Sequence, residues 1–131
     1  MGTLKRALTD EAELHNPGVV KVVTDAGGDA LYFSRAPIPF VRDHGPHGML
    51  DPTLHGIHLG LYIYTAETVA RLAALPTGRL EDAEKLEQLR ALEHGIPIRV
   101  WDTAHASLRV DTPEDLERAA EALRRQQVGP A

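Results

Sequence analysis

Cysteine is absent from the 131 residues, which excludes a disulfide framework and any thiolate metal site. Aromatic residues are scarce: three Tyr, two Phe and one Trp. Proteins that hold single-stranded nucleic acid use aromatic platforms along a basic groove. Here acids and bases are interspersed and the net charge is −5. No concentrated basic surface is available to a phosphate backbone, so no nucleic-acid partner is expected. Also lacking is any apolar run long enough to span a bilayer, or a basic-then-apolar leader pattern. The expectation is a cytoplasmic protein with no membrane partner.

What remains is ordinary globular material, 43% hydrophobic and 25% charged. The length suits one domain covering 1–131. Residues 1–18 read as irregular, with a helical turn near Thr9–Glu13 before the break at Asn16-Pro17-Gly18. Val19–Thr24 is rich in β-branched residues and reads as a strand. Asp25–Asp29 carries two glycines and reads as a turn, with a second strand over Ala30–Ser34 completing a β-hairpin. Pro37 and Pro39 end regular pairing, and a Gly/His/Pro-rich loop follows to Gly56.

Ile57–Tyr64 alternates as a strand does. Thr65 is placed to cap a helix over Ala66–Ala74. A second helix is expected over Glu81–His94, stopped by Gly95. Ile96–Trp101 reads as a strand. A last helix is expected over Pro113–Gln126, with Thr112 as its N-cap. Helices interleaved with strands indicate α/β organisation with a mixed sheet, a hairpin and flanking helices.

Five places in this outline carry candidate chemistry. Arg35 ends a strand and precedes two prolines, a rigid corner from which a guanidinium can meet a carboxylate or phosphate, or simply face water. His58, Gly60, Tyr62 and Tyr64 alternate onto one strand face, either a ligand wall or an amphipathic surface. Glu84, Glu87 and Gln88 cluster at one helix edge, where they either read hydroxyls or meet solvent. Asp111 stands just outside a helix start whose other residues are explained by capping. A hard cation bound to phosphates takes one or two such carboxylates. His44, His47, His55 and His58 are close in sequence, but their irregular spacing favours a loop over a zinc site.

Taken in order, these segments resemble a known family. Asn16–Val23, Leu31-Tyr32-Phe33-Ser34-Arg35-Ala36-Pro37-Ile38-Pro39, His58-Leu59-Gly60-Leu61-Tyr62, Leu86-Glu87-Gln88-Leu89-Arg90 and Val110–Leu116 are similar to stretches of 3-deoxy-manno-octulosonate (Kdo) cytidylyltransferases. The resemblance implies a partial Rossmann-like nucleotidyltransferase fold. It implies transfer of CMP from CTP to Kdo for lipopolysaccharide synthesis, with Mg²⁺ as cofactor and a homodimeric assembly.

By the same resemblance Arg35, His58, Tyr62, Glu87 and Gln88 contact the sugar acid, and Asp111 is the catalytic metal ligand. Only the C-terminal half of such an enzyme is matched. The family's nucleotide-binding half, with its basic loop and second metal ligand, has no counterpart here, so the isolated chain is expected to be inactive. The alternatives are a non-catalytic sugar-binding or dimerisation module, and a CMP-sugar synthetase for a different sugar acid.

Overall fold

The computed structural model describes residues 1–43, 48–105, 110 and 113–127. Five strands form one mixed sheet: β1 (Gly2–Ala7), β2 (Lys21–Thr24), β3 (Ala30–Ser34), β4 (Gly56–Ile63) and β5 (Arg99–Asp102). Their spatial order is β3-β2-β4-β1-β5. The only parallel pairing among them is β1 with β5; the others are antiparallel. The helices are α1 (Glu11–His15), α2 (Ala66–Ala74), α3 (Arg79–Glu84), α4 (Gln88–Glu93) and α5 (Pro113–Gln127).

The hairpin forms as the sequence indicates. β2 and β3 pair antiparallel, and Gly28 takes φ 90° in the turn, a conformation that costs glycine no Cβ clash. Thr65 caps α2, accepting from the Thr68 amide. Three expectations need correction. The stretch whose residue pattern reads as irregular begins with strand β1, between β4 and β5, in keeping with the likeness of Met1-Gly2-Thr3-Leu4 to an interior strand of the family. Its sequence, GTLKRA, has one β-branched residue, so local propensity gave little sign of a strand fixed by long-range pairing. Strand β5 begins at Arg99, later than expected.

The third correction concerns the helix expected over Glu81–His94, which is two helices. Lys85 adopts φ 52° between them. The carbonyls of Glu84 and Lys85, which a continuous helix would use internally, accept instead from Nε and Nη2 of Arg35 at 2.8 and 3.3 Å. A tertiary contact therefore ends α3, and no glycine or proline marks the place.

Two apolar clusters fill the faces of the sheet. The larger joins Val20, Val22, Phe33 and Val100 to Leu86, Leu89, Ala91, Ile96 and Ile98. The smaller joins Ile57 to Leu8 and Leu14, the latter on α1. Among the described residues no helix is long and apolar enough to cross a membrane.

Candidate functional site

The sheet, α2 and the α3–α4 pair border an open cleft of about 1390 Å³. Five of the six sequence-predicted site residues line it: Arg35, His58, Tyr62, Glu87 and Gln88. The sixth, Asp111, lies outside the described residues, as do His44, His47 and Thr112.

β4 supplies the wall. His58 and Tyr62 are four residues apart, so strand alternation puts both on one face. Gly60 lies between them at φ 70°, where the pairing of β4 with β1 shifts register. The His58 ring meets the Phe33 edge at a centroid distance of 4.9 Å and Tyr62 at 5.2 Å; Tyr64 continues the row 5.7 Å from Tyr62. Nε2 of His58 is 3.0 Å from Oγ1 of Thr3 on β1.

Burial raises the Tyr62 hydroxyl well above the ordinary phenol value, and Tyr64 and Glu87 push in the same direction. Tyr64 is raised by burial and by Glu87. Both hydroxyls therefore remain neutral donors through the physiological range.

α4 supplies the opposite lip. Glu87 is exposed at its start, while Gln88 is only 8% exposed. The Gln88 amide makes no hydrogen bond within the described residues. Among the described residues the buried side-chain nitrogen without a partner is Nε of Arg6, not an atom of Gln88, whose amide opens onto the cleft with hydrogen-bonding capacity to spare. The pair provides a carboxylate acceptor next to a mixed donor and acceptor, a combination suited to neighbouring hydroxyls.

Arg35 closes the third side as a brace. Its Nη1 donates to the Pro17 carbonyl at 2.9 Å, in addition to its bonds to Glu84 and Lys85. A guanidinium has five N–H donors, so N–H groups remain for a ligand. Glu84 anchors the same corner, accepting from the Ser34 hydroxyl at 2.6 Å and the Arg35 amide at 3.0 Å.

Lys21 was not singled out in the sequence. It is fully buried, and its ammonium donates to the carbonyls of Asn16, Val19 and Arg35 at 3.0, 2.6 and 2.6 Å. Burial lowers its pKa, against the attraction of Glu84. A strand lysine reads as solvent-facing, and only the looped-back carbonyls reveal its use in tying the Asn16–Val19 segment to Arg35. Among the described residues no group of three or more His, Asp or Glu is arranged to hold a metal ion.

A mixed sheet carrying a hairpin, with a cleft between its strand face and flanking helices, is an α/β nucleotidyltransferase fold. A solved structure described as CMP:2-keto-3-deoxy-manno-octonic acid synthetase complexed with CTP superposes with a TM-score of 0.82 at 38% identity, covering 97% of this chain and 49% of that one. Residues 1–99 match the family profile described as Cytidylyltransferase, and the chain belongs to that family.

Curated relatives bear the name 3-deoxy-manno-octulosonate cytidylyltransferase. The protein from Solibacter usitatus is 53% identical over 92% of this chain and 46% of its own length. That from Geobacter sulfurreducens is 49% identical over 95% of this chain and 52% of its own length. The chain thus spans about half the length of the curated relatives it matches.

Proposed function

We propose that the cleft is the sugar-acid site of an enzyme that moves CMP from CTP to Kdo. The observation that carries the reading is the convergence of Arg35, His58, Tyr62, Glu87 and Gln88, drawn from three separate segments, on one cavity. The names borne by the relatives and by the solved CTP complex supply the substrates. In the reaction the anomeric oxygen of Kdo bonds to the α-phosphorus of CTP. The bond from that phosphorus to the bridging oxygen breaks, pyrophosphate leaves, and the hydroxyl proton passes to solvent.

The described residues contribute binding and orientation, which is where much of the advantage in transfer at phosphorus lies. Tyr62 and the Gln88 amide donate to sugar oxygens, Glu87 accepts from a hydroxyl, and Arg35 offers its remaining N–H groups to the sugar carboxylate. Mg²⁺ belongs to the proposal through Asp111, which lies outside the described residues. The described residues alone do not assemble its ligands, and no step here runs through the ion. A cytoplasmic homodimer completes the reading.

The test is a titration of the chain with Kdo followed by amide and side-chain NMR. Shifts are expected at Tyr62, Glu87 and the Gln88 carboxamide, with other acid sugars weaker. If saturating Kdo leaves those signals unmoved, the reading is wrong.

A further inference from the structure

We infer that Lys21 is a positioning residue for the sugar-acid site: its ammonium fixes the main chain of Arg35 and so sets where the Arg35 guanidinium meets the carboxylate of the ligand. The ligand side of this inference rests on the sugar-acid reading of the cleft; the hold on Arg35 does not.

An ammonium has three N–H donors. Those of Lys21 go to the carbonyls of Asn16, Val19 and Arg35 at 3.0, 2.6 and 2.6 Å, and the residue is fully buried. Stability gives little reason to bury a charge here, since an apolar side chain of like volume often serves as well. What the ammonium adds is a tie between chain segments. Two of its acceptors precede β2 and the third follows β3.

Register makes the tie possible. Lys21 pairs with Ser34, the last residue of β3, so Arg35 is the first residue beyond the ladder. Charged side chains take over there. The Glu84 carboxylate accepts from the Arg35 amide at 3.0 Å, and Lys21 donates to the Arg35 carbonyl. Arg35 is thus held through both main-chain groups by side chains of opposite charge, which attract each other across it.

The Arg35 side chain interlocks with the same tie. Its Nη1 donates to the Pro17 carbonyl at 2.9 Å, and Pro17 lies between the two residues, Asn16 and Val19, whose carbonyls Lys21 holds. Removing the ammonium therefore frees the Arg35 carbonyl and loosens the segment that its guanidinium braces against. Lys21 has no exposed surface with which to touch a ligand, whereas Arg35 lines the cleft. A guanidinium recognises a carboxylate through a directed fork of N–H bonds. Lys21 accordingly governs the acid end of the ligand rather than its hydroxyls.

Calorimetry at neutral pH with Kdo and with its carboxamide separates the two ends. The unsubstituted chain is expected to prefer Kdo about tenfold, the scale of one charge-assisted hydrogen bond. Lys21→Met keeps a long side chain and removes the charge. It should weaken Kdo about tenfold and leave the carboxamide nearly unchanged, so that the preference disappears. In an Arg35→Gln background the same substitution should add little, because the two residues act as one unit. A second readout needs no ligand. The Arg35 Nε–H, bonded to the Glu84 carbonyl, should give a slowly exchanging NMR signal that Lys21→Met shifts and brings into faster exchange.

Parallel losses for Kdo and its carboxamide would show a packing role and overturn the inference. So would equal binding of the two by the unsubstituted chain, additive effects of Lys21→Met and Arg35→Gln, or an Arg35 Nε–H signal indifferent to Lys21→Met. Should Lys21→Met not fold, Lys21→Gln, whose carboxamide keeps two N–H donors, is judged by the same criteria. An unsubstituted chain that binds neither compound, with the Nε–H signal responding as expected, overturns the substrate reading and leaves the hold on Arg35 standing.

Discussion

Tyr62 shows how burial sets the chemistry of a single side chain. Its hydroxyl is half sheltered in the cleft, and desolvation is the first cause of its raised pKa, followed by Tyr64 and Glu87. An acid whose folded pKa exceeds its unfolded value adds stability below the unfolded value. That stability is lost as pH rises toward the folded value. For tyrosine the loss begins at about pH 10. Urea melts from pH 8 upward are expected to show the chain weakening above that point, and Tyr62→Phe should weaken less. Equal alkaline loss in both proteins would mean that Tyr62 is not the group responsible.

Gln88 makes the complementary case. The residue is only 8% exposed, yet its amide opens onto the cleft and makes no hydrogen bond within the described residues. Gln88→Leu should leave the melting temperature nearly unchanged, because the amide opens onto the cleft and no hydrogen bond to another described residue is lost. It should also lower Kdo affinity about tenfold by calorimetry. A variant of unchanged affinity would remove Gln88 from the site.

At the scale of elements, the α3–α4 corner shapes one lip of the cleft, and two carboxylates hold it together. Glu81, 6% exposed, receives Nε and Nη2 of Arg90 at 2.7 and 2.5 Å. Glu93 accepts from the Leu80 and Glu81 amides at 3.0 and 3.3 Å, and so holds the start of α3. Hydrogen bonding to Arg90 lowers the pKa of Glu81, and backbone hydrogen bonding from Leu80 lowers that of Glu93.

Depressed carboxylates contribute stability that is present above their ordinary value of 4.5 and lost as pH falls through the folded value. Denaturation midpoints should therefore fall below about pH 4.5. Glu81→Gln should have a lower midpoint at neutral pH and a shallower acid limb. An acid limb identical to that of the unsubstituted chain would show that the pair does not couple to folding. In the adjoining core, Phe33→Ala should cost about 3–4 kcal/mol in the same melts, because the ring is fully buried and backs His58.

Much of this element scale was legible in advance. The hairpin follows from its β-branched residues and its glycines, α2 from its Thr65 cap, and the wall of β4 from simple alternation. What escaped depends on partners distant in sequence. β1 is a strand because β4 and β5 flank it. Helix α3 ends at Glu84 because Arg35, 49 residues away, takes its carbonyl. Arg35 itself was legible as a fixed donor at a rigid corner, yet its bracing of three main-chain carbonyls was not, since carbonyl positions leave no trace in side-chain identity. Lys21 was silent for the same reason.

For the whole molecule, the two faces of the sheet are treated unequally. One carries the larger core and the cleft. The other leaves apolar surface exposed toward β5. Gly2 pairs with Ile63 and Leu4 with Trp101, which places Ile63 and Trp101 on one face, and alternation adds Leu61. Leu61, Ile63 and Trp101 are 59, 69 and 51% exposed. Isolated apolar residues need no explanation, but several together on an open sheet face favour association.

The homodimer of the proposed function fits such a surface. Light scattering at micromolar concentration is expected to give a mass above that of one chain. Ile63→Lys places a charge in the middle of the patch and should shift the mass toward the monomer while leaving Kdo affinity unchanged, because residue 63 points away from the His58–Tyr62 face. A monomeric mass for the unsubstituted chain would defeat the assembly while leaving the cleft and its chemistry untouched, which is why mass and affinity must be measured on the same samples.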